Sequence, residues 1–248
     1  MIAPRITIVT VSYNSADVLG DLLTSCPKDV PVIVVDNGSG DNAATRDLAE
    51  RHGAKMIANT ANEGFGRACN RGASIAKTPF ILFLNPDAVL GADTLDHLLG
   101  TADANPSAVA FNPVLLNSDG TPATKRKSDL IPKSEYVPLD VPDHDAPIYT
   151  LNGAAVMVRR GAFEAVGGFD SNIFLFFEDD DLAARLRAKG GALMLSHRAL
   201  VRHIGGAASS GPKLTTEAFK AWHMGYARLY VLRKHGVRLA RVLSLIHI

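Results

Sequence analysis

The run Ile6-Thr7-Ile8-Val9-Thr10-Val11, followed at once by Ser12-Tyr13-Asn14, decides the fold class. Six consecutive apolar or β-branched residues suit a strand buried on both faces, the pattern of a parallel sheet covered by helices. Asn14 and Ser15 offer caps for a helix that carries Val18, Leu19, Leu22 and Leu23 on one side. The same alternation then repeats. Residues 30–35 read as a second buried strand, and Asp36-Asn37-Gly38-Ser39-Gly40-Asp41 turns the chain into a helix that ends near Gly53. Residues 55–58 read as a short strand, 65–76 as a helix and 79–84 as another buried strand that stops at Asn85-Pro86-Asp87. Strands alternating with helices predict an α/β fold, a mostly parallel Rossmann-like sheet with helices on both faces.

The second half is less regular and predicts a smaller, mixed region. Asn117-Ser118-Asp119-Gly120 reads as a hairpin turn. Residues 121–149 show little periodicity and carry five prolines, as a functional loop does. A strand follows at 154–158, a short helix around Glu164, a helix at 179–189 closed by Gly190-Gly191, strands at 193–195 and 199–203, and a helix at 215–235. The expected organisation is a domain over 1–213, split into a first half to residue 112 and a second from 113, then a C-terminal helix and basic tail over 214–248.

The bulk numbers narrow the function. A chain of 248 residues with 47% hydrophobic content can bury one sizeable core. Lys and Arg number 26 against 25 Asp and Glu, so no basic footprint points to a nucleic acid partner. Cys26 and Cys69 have neither metal-ligand spacing nor a set of pairs, and read as small buried residues in a reducing cytosol. The N-terminus runs directly into a strand, leaving no room for a signal peptide. No apolar run approaches the roughly 18 residues of a membrane-spanning helix. The expected location is cytoplasmic, with peripheral contact to the inner face of the membrane. Residues 214–248 hold six Lys or Arg and one acid, interleaved with apolar residues; the contact is expected from Arg233 onward, while the first half, around Trp222 and Tyr226, reads as a helix packed on the sheet.

In an open α/β sheet, ligands bind beyond the carboxyl ends of the strands. Here those ends carry Ser12-Tyr13-Asn14, Asp36-Asn37, Asn59 and Asn85-Pro86-Asp87. Singly, Asn14 or Ser39 reads best as a turn or cap; together the polar ends converge on one crevice. No G-x-G-x-x-G follows the first strand and no G-x-x-x-x-G-K-[ST] occurs, which argues against NAD enzymes and P-loop NTPases. Asp36 suits hydrogen bonds from a base N–H or a ribose hydroxyl, and Asp87 suits a divalent cation on a diphosphate. Glu178-Asp179-Asp180-Asp181 opens a helix after the aromatic run Phe174-Leu175-Phe176-Phe177. First-turn acids complement a helix dipole; an apolar approach that desolvates the first two also makes a general base. His203 stands at a strand end before Gly205-Gly206, open to either a structural or a ligand role.

As a set these residues resemble inverting glycosyltransferase family 2. The resemblance runs from about Ile6 to Ser209. Its motifs are Ser12-Tyr13-Asn14, the Asp36–Asp41 stretch, Asn62-Glu63-Gly64-Phe65-Gly66 with Asn70 and Gly72, Asn85-Pro86-Asp87, Asn152-Gly153-Ala154, Gly167-Gly168-Phe169-Asp170, Glu178-Asp179-Asp180-Asp181, and His203 with Gly206 and Ser209. Asn-Pro-Asp and Phe-Phe-Glu-Asp resemble the rhamnosyltransferase-like branch, which builds cell-wall and surface polysaccharides. The resemblance implies a GT-A fold and transfer of a sugar from a dTDP- or UDP-sugar to a glycan or lipid-linked glycan. It implies that Asp36 binds the nucleobase beside backbone of Val11 and Tyr13, and that Asn37, Asn62, Gly64, Asn70 and Asn85 shape the nucleotide-sugar pocket. Asp87 and His203 would hold Mg²⁺ or Mn²⁺. Asp179 would be the base, with Glu178, Asn152 and Gly153 beside it in the acceptor site. Apart from the resemblance, the length and prolines of residues 121–149 suggest a mobile flap with Lys125, Arg126 and Lys127 available to a diphosphate, or equally a solvated charge run. Two positions depart from the family pattern: Asn85 replaces the first acid of Asp-x-Asp, and Thr150 stands where relatives often have an aromatic. Two other classes remain possible at this level, a noncatalytic nucleotide-sugar-binding module and a sugar-phosphate nucleotidyltransferase. The latter wants a glycine-rich basic loop after the first strand, which Ser12-Tyr13-Asn14-Ser15 is not.

Overall fold

The computed structural model describes residues 4–123, 125–137, 141–203 and 213–237. The first strand β1 (Ile6–Ser12) is buried along its whole length, as its sequence demands. Helix α1 (Ala16–Ser25) packs Leu19, Leu22 and Leu23 inward. Then come β2 (Val32–Asp36), α2 (Asn42–Arg51), β3 (Lys55–Ala58), α3 (Phe65–Ala73) and β4 (Phe80–Leu84). Parallel pairing runs β3-β2-β1-β4. The ladder brings Ser12 opposite Asp36, and Asp36 opposite Ala58. Pairing of β1 with β4 stops at Val9 and Phe83, so β1 runs on past its neighbour into the crevice.

Between Asp87 and the Asn117 turn, where periodicity announces no element, the structure has three: β5 (Ala88–Leu90), α4 (Thr94–Ala104) and β6 (Ala108–Leu116). The expected 112/113 division falls inside β6. The remaining elements are β7 (Ala146–Ile148), β8 (Ala155–Arg159), α5 (Arg160–Ala165), α6 (Glu178–Ala188), β9 (Ala192–His203) and α7 (Lys213–Lys234). The two strands expected at 193–195 and 199–203 are one strand, β9, whose register against β6 shifts opposite Pro113 and Val114. Proline has no N–H to give the ladder, which accounts for an irregularity at that point.

Among the described residues nine strands form one sheet, in the order β3-β2-β1-β4-β8-β6-β9-β5, with β7 also on β9. Antiparallel pairing begins at β8. The pleat sends Ile6 and Ile8 to one face, where α1, α2 and α4 pack, and Val9 and Val11 to the other, under α3, α5 and α6. Helices cover both faces, as the alternation predicts.

The described part of the segment 121–149 holds more regular structure than an irregular loop. It carries a 3₁₀ turn at Lys133–Glu135 and strand β7, and it buries Ile131 and Val137. The Asn117 turn closes through Gly120 N–H on the Asn117 carbonyl, with Gly120 at φ +82°. Cys69 is buried and Cys26, just past the end of α1, is half-buried. Ile204, Gly205, Gly206, Ser209 and the tail 238–248 lie outside the described residues.

Candidate functional site

The strand ends are held in place by side chains that bond to one another. Asn37 is buried and fully engaged: its Nδ2 donates to Asn62 Oδ1 (2.9 Å) and the Gly64 carbonyl (3.3 Å), and its Oδ1 accepts from Asn59 Nδ2 (2.8 Å) and Glu63 N–H (3.1 Å). Asn70 is equally committed, with Nδ2 on the Phe169 carbonyl and Oδ1 accepting Phe169 N–H, both at 2.8 Å. These two residues, expected to shape the sugar pocket, therefore shape it only indirectly: Asn37 fixes the 59–64 loop and Asn70 clasps α3 to the 169 loop. Asn62 Oδ1 also accepts Gly64 N–H. Gly64, at φ +89°, lies where a Cβ would come within 2.5 Å of the Phe174 carbonyl oxygen, so glycine is required for that approach. Asn14 at φ 50° latches two loops, its Oδ1 taking Gly40 N–H at 2.7 Å while its own N–H reaches Ser39 Oγ, which is a turn role for both.

Asp36 has a different character. It is completely buried; Oδ1 accepts Ser39 N–H and Asn42 Nδ2, while Oδ2 has no hydrogen-bond partner in the protein. A buried carboxylate oxygen without a donor is costly unless a ligand supplies one. Tyr13, beside it at the end of β1, is exposed, and Val11 packs into the core.

Asp87 and His203 meet across the antiparallel β5–β9 pair, in which Ala88 faces His203. His203 Nε2 lies 3.2 Å from Asp87 Oδ1. The contact is close in distance but misaligned, so that buried oxygen has no hydrogen bond. Asn85 Nδ2 is 3.4 Å from the same imidazole nitrogen. A buried, unbonded carboxylate oxygen beside an imidazole nitrogen fits two ligands of one cation. Among the described residues no third His, Cys, Asp or Glu joins them.

The four consecutive acids of α6 divide by environment. Asp181 is fully buried and structural: Oδ2 takes Arg185 Nε at 2.7 Å, and Oδ1 lies 2.7 Å from Lys234 Nζ and 2.8 Å from His235 Nε2. Asp180 Oδ1 accepts the Thr150 hydroxyl at 2.8 Å, and its Oδ2 pairs with Lys125 Nζ at 2.9 Å. Asp179 Oδ2 accepts Gly153 N–H (2.8 Å) and Lys125 Nζ (3.0 Å), while Oδ1 accepts Asp180 N–H (2.8 Å). Glu178 is buried with Oε2 unbonded. Burial, reinforced by the Asp179 charge, pushes its carboxyl up to about 8. Burial and then Asp179 raise Asp180 as well.

Asp179, Glu178, Asn152, Gly153, Asn85 and His203 line one cleft of about 410 Å³, while Asp36 stands further along the row of strand ends, outside its walls. Asn112, buried on β6, holds the Asn152-Gly153 turn through Asn152 N–H and the carbonyls of Asn152 and Ala155. It escapes sequence reading because it lies in a stretch with no visible period. Phe176 and Phe177 are left-handed at φ 69° and 63°, a conformation costing about 1–3 kcal/mol each in a non-glycine residue. That sharp turn aims the first residues of α6 at the cleft. Of the three basic residues expected at a diphosphate, Lys125 sits on the acids and Arg126 Nε donates to the Val137 carbonyl at 3.1 Å.

Comparison with known proteins is consistent with this geometry. The sequence profile of Glycosyl transferase family 2 matches residues 7–167. The N-acetylglucosaminyl-diphospho-decaprenol L-rhamnosyltransferase of Mycobacterium tuberculosis is 29% identical over 216 residues, covering 74% of this chain and 70% of that protein. Rhamnosyltransferase WbbL of Escherichia coli is 25% identical, over 92% of both chains. A mannosyltransferase of Pyrobaculum calidifontis, solved in complex with GDP-Man and Mn²⁺, superimposes with a TM-score of 0.64 at 18% identity over 93% of this chain. This chain spans 64% of the length of that one. At such identity the likeness is one of fold, the GT-A arrangement.

Glu178 links the site to stability. Its folded-state carboxyl lies above the unfolded value, so its contribution is fully present below about 4.5 and is lost as pH rises through about 8. Glu178→Gln removes that loss. In urea unfolding the variant should gain on the wild type steadily between about pH 5 and pH 9. A difference independent of pH would show that folding does not shift the Glu178 carboxyl.

Proposed function

This chain belongs to glycosyl transferase family 2, and we propose that it moves rhamnose from a dTDP- or UDP-linked donor to a hydroxyl of a lipid-linked glycan, with inversion, in cell-wall or surface polysaccharide synthesis. The observation that carries the reading is Asp179, a carboxylate in the same cleft as His203 whose Oδ1 accepts one hydrogen bond, from Asp180 N–H, among the described residues. The rhamnosyltransferase names of the relatives favour the sugar, and the mycobacterial relative's name favours a lipid-linked N-acetylglucosamine acceptor. A noncatalytic binding module has no use for an acid pair lining the cleft, and a nucleotidyltransferase lacks its basic loop here.

In the proposed reaction Asp36 accepts hydrogen bonds from the donor's base or ribose. Asp179 takes the proton of the acceptor hydroxyl as that oxygen bonds to the anomeric carbon. The bond from that carbon to the diphosphate breaks, its electron pair leaving with the phosphate, and the sugar passes through an oxocarbenium-like state. Asp87 and His203 would hold Mg²⁺ or Mn²⁺. The cation's chemistry there is to neutralise charge on the leaving group. Glu178 is protonated near neutrality and serves as a neutral wall and hydrogen-bond donor rather than as a second base.

Asp179→Asn keeps the volume and removes the proton acceptor. Transfer from dTDP-rhamnose to N-acetylglucosaminyl-diphospho-polyprenol should fall about 10²–10⁴-fold with donor binding retained. Near-normal turnover of this variant, with loss in Glu178→Gln, would exchange the two roles. In the same assay activity should vanish in EDTA and return with Mg²⁺ or Mn²⁺, and Asp87→Ala should weaken donor binding. Full activity in excess EDTA would remove the metal from the proposal.

A lipid-linked acceptor calls for contact with a bilayer. Among the described residues no helix is long and apolar enough to cross one. Of the tail expected to make the contact, Lys234 is engaged with Asp170 and Asp181, and residues 238–248 lie outside the described part. The outward side of α7 offers another surface. Trp222, Tyr226, Leu229 and Arg233 are exposed, at spacings of four, three and four that align them on one stripe, opposite the buried Ala227 and Val231. Aromatic residues with arginine suit the interface of an anionic membrane. The protein should float with vesicles containing anionic lipid at low salt, and Trp222→Ser with Leu229→Ser should reduce the bound fraction several-fold. Equal flotation of the two forms, or none by either, would exclude this face.

A further inference from the structure

Lys125 has no part in the reaction as described, yet its ammonium and the backbone around it are held by several contacts. Its backbone is pinned on both sides: Ala123 N–H bonds the Leu115 carbonyl at 2.8 Å, and Val137 N–H bonds the Arg126 carbonyl at 3.0 Å. The ammonium reaches Asp179 Oδ2 at 3.0 Å and Asp180 Oδ2 at 2.9 Å. Only 24% of the Lys125 side chain is exposed, against 14% and 6% for its partners, so solvent screens these pairs weakly. Burial opposes the charge on Lys125, but the two carboxylates outweigh it and hold the ammonium above its usual range.

We propose that Lys125 is a positioning residue for the base. It fixes Asp179 through Oδ2, so that Oδ1 meets the acceptor hydroxyl, and it supplies the counter-charge to two adjacent carboxylates. The inference rests on Asp179 acting as the base. Hydrogen-bond accounting supports the first part. Oδ2 has both lone pairs occupied, by Gly153 N–H and Lys125, whereas Oδ1 has one occupied, by Asp180 N–H. Asp179 therefore has one rotamer and one oxygen to offer. Charge supports the second part. Glu178 and Asp180 flank Asp179 on α6, Lys125 faces it from the segment after β6, and His203 on β9 lines the same cleft. The groups from the turn before β8, Gly153 N–H and the Thr150 hydroxyl on Asp180, are neutral. With an ammonium already between two carboxylates, Lys125 is poorly placed to leave them for a diphosphate.

The test compares Lys125→Met and Lys125→Arg with the wild type in the full chain, assayed with dTDP-rhamnose and N-acetylglucosaminyl-diphospho-polyprenol. Lys125→Met should lower kcat about 10–100-fold with donor KM nearly unchanged, and should move the acid limb of the kcat profile to higher pH by roughly one unit or more. Lys125→Arg keeps the charge and should recover most of the turnover and the original limb. A tenfold rise in donor KM with the limb unmoved would make Lys125 a diphosphate ligand and overturn the proposal, as would a Met variant with wild-type kinetics. A carboxyl carbon-13 titration, with the Asp179 signal assigned by its loss in Asp179→Asn, needs no turnover. Its midpoint should rise in Lys125→Met, and an unmoved midpoint overturns the proposal. Absence of transfer by the wild type would count against the sugar-transfer reading alone, because the titration still decides the role of Lys125.

Discussion

Four carboxyl groups in the first turn of one helix repel one another, and much of the second half of this protein is arranged around that repulsion. Each acid of α6 meets it differently. Asp181 takes cations from its own helix and from the end of α7, Arg185 at 2.7 Å and Lys234 at 2.7 Å. Asp180 and Asp179 share one ammonium, brought in by the segment after β6. Glu178, buried with no counter-ion of its own, gives up its charge near neutrality. The helix N-terminus favours negative charge, but that effect is modest and falls off within the first turn. Separate partners from three other parts of the chain do most of the work, and those partners fix where the 121–137 segment and α7 sit.

The first half of the site rests on a different constraint, the register of the parallel ladder. Ser12, Asp36 and Ala58 stand level because the backbone pairing leaves them no alternative. Asparagine side chains then turn level strand ends into a fixed rim. Asn37 meets four groups across the 59–64 loop, and Asn70 joins α3 to the chain at Phe169. A rim built in this way is rigid before any ligand arrives. Buried carboxylate oxygens left without hydrogen bonds there, on Asp36, Asp41 and Asp87, stand out against the saturated asparagines. Rigid surroundings and a few unsatisfied groups are what a preorganised binding site requires.

The sequence by itself determined the architecture of the first half and the identity of most chemical groups. Continuous β-branched runs such as residues 6–11 admit few environments other than the middle of a covered parallel sheet, and polar residues at successive strand ends must then share a crevice. Periodicity failed where elements are short or buried all round. Strand β6 reads Ala-Val-Ala-Phe-Asn-Pro-Val-Leu-Leu, and its central proline hides a strand that the sheet accommodates by a shift in register. The bend in β9 likewise looked like a break between two strands. Tertiary structure alone decided the division of labour among chemically similar residues. Nothing local distinguishes Asn37, saturated by protein, from Asn85, open to the cleft, or Asp181 from Asp179 two positions before it. Helical geometry turns those two acids to different neighbours, and the distant ones lie 26 to 54 positions away in the chain. Whether a carboxylate is a buttress, a base or a neutral acid depends on the donors that reach it, and those donors are placed by the packing of the whole chain rather than by the residues beside it.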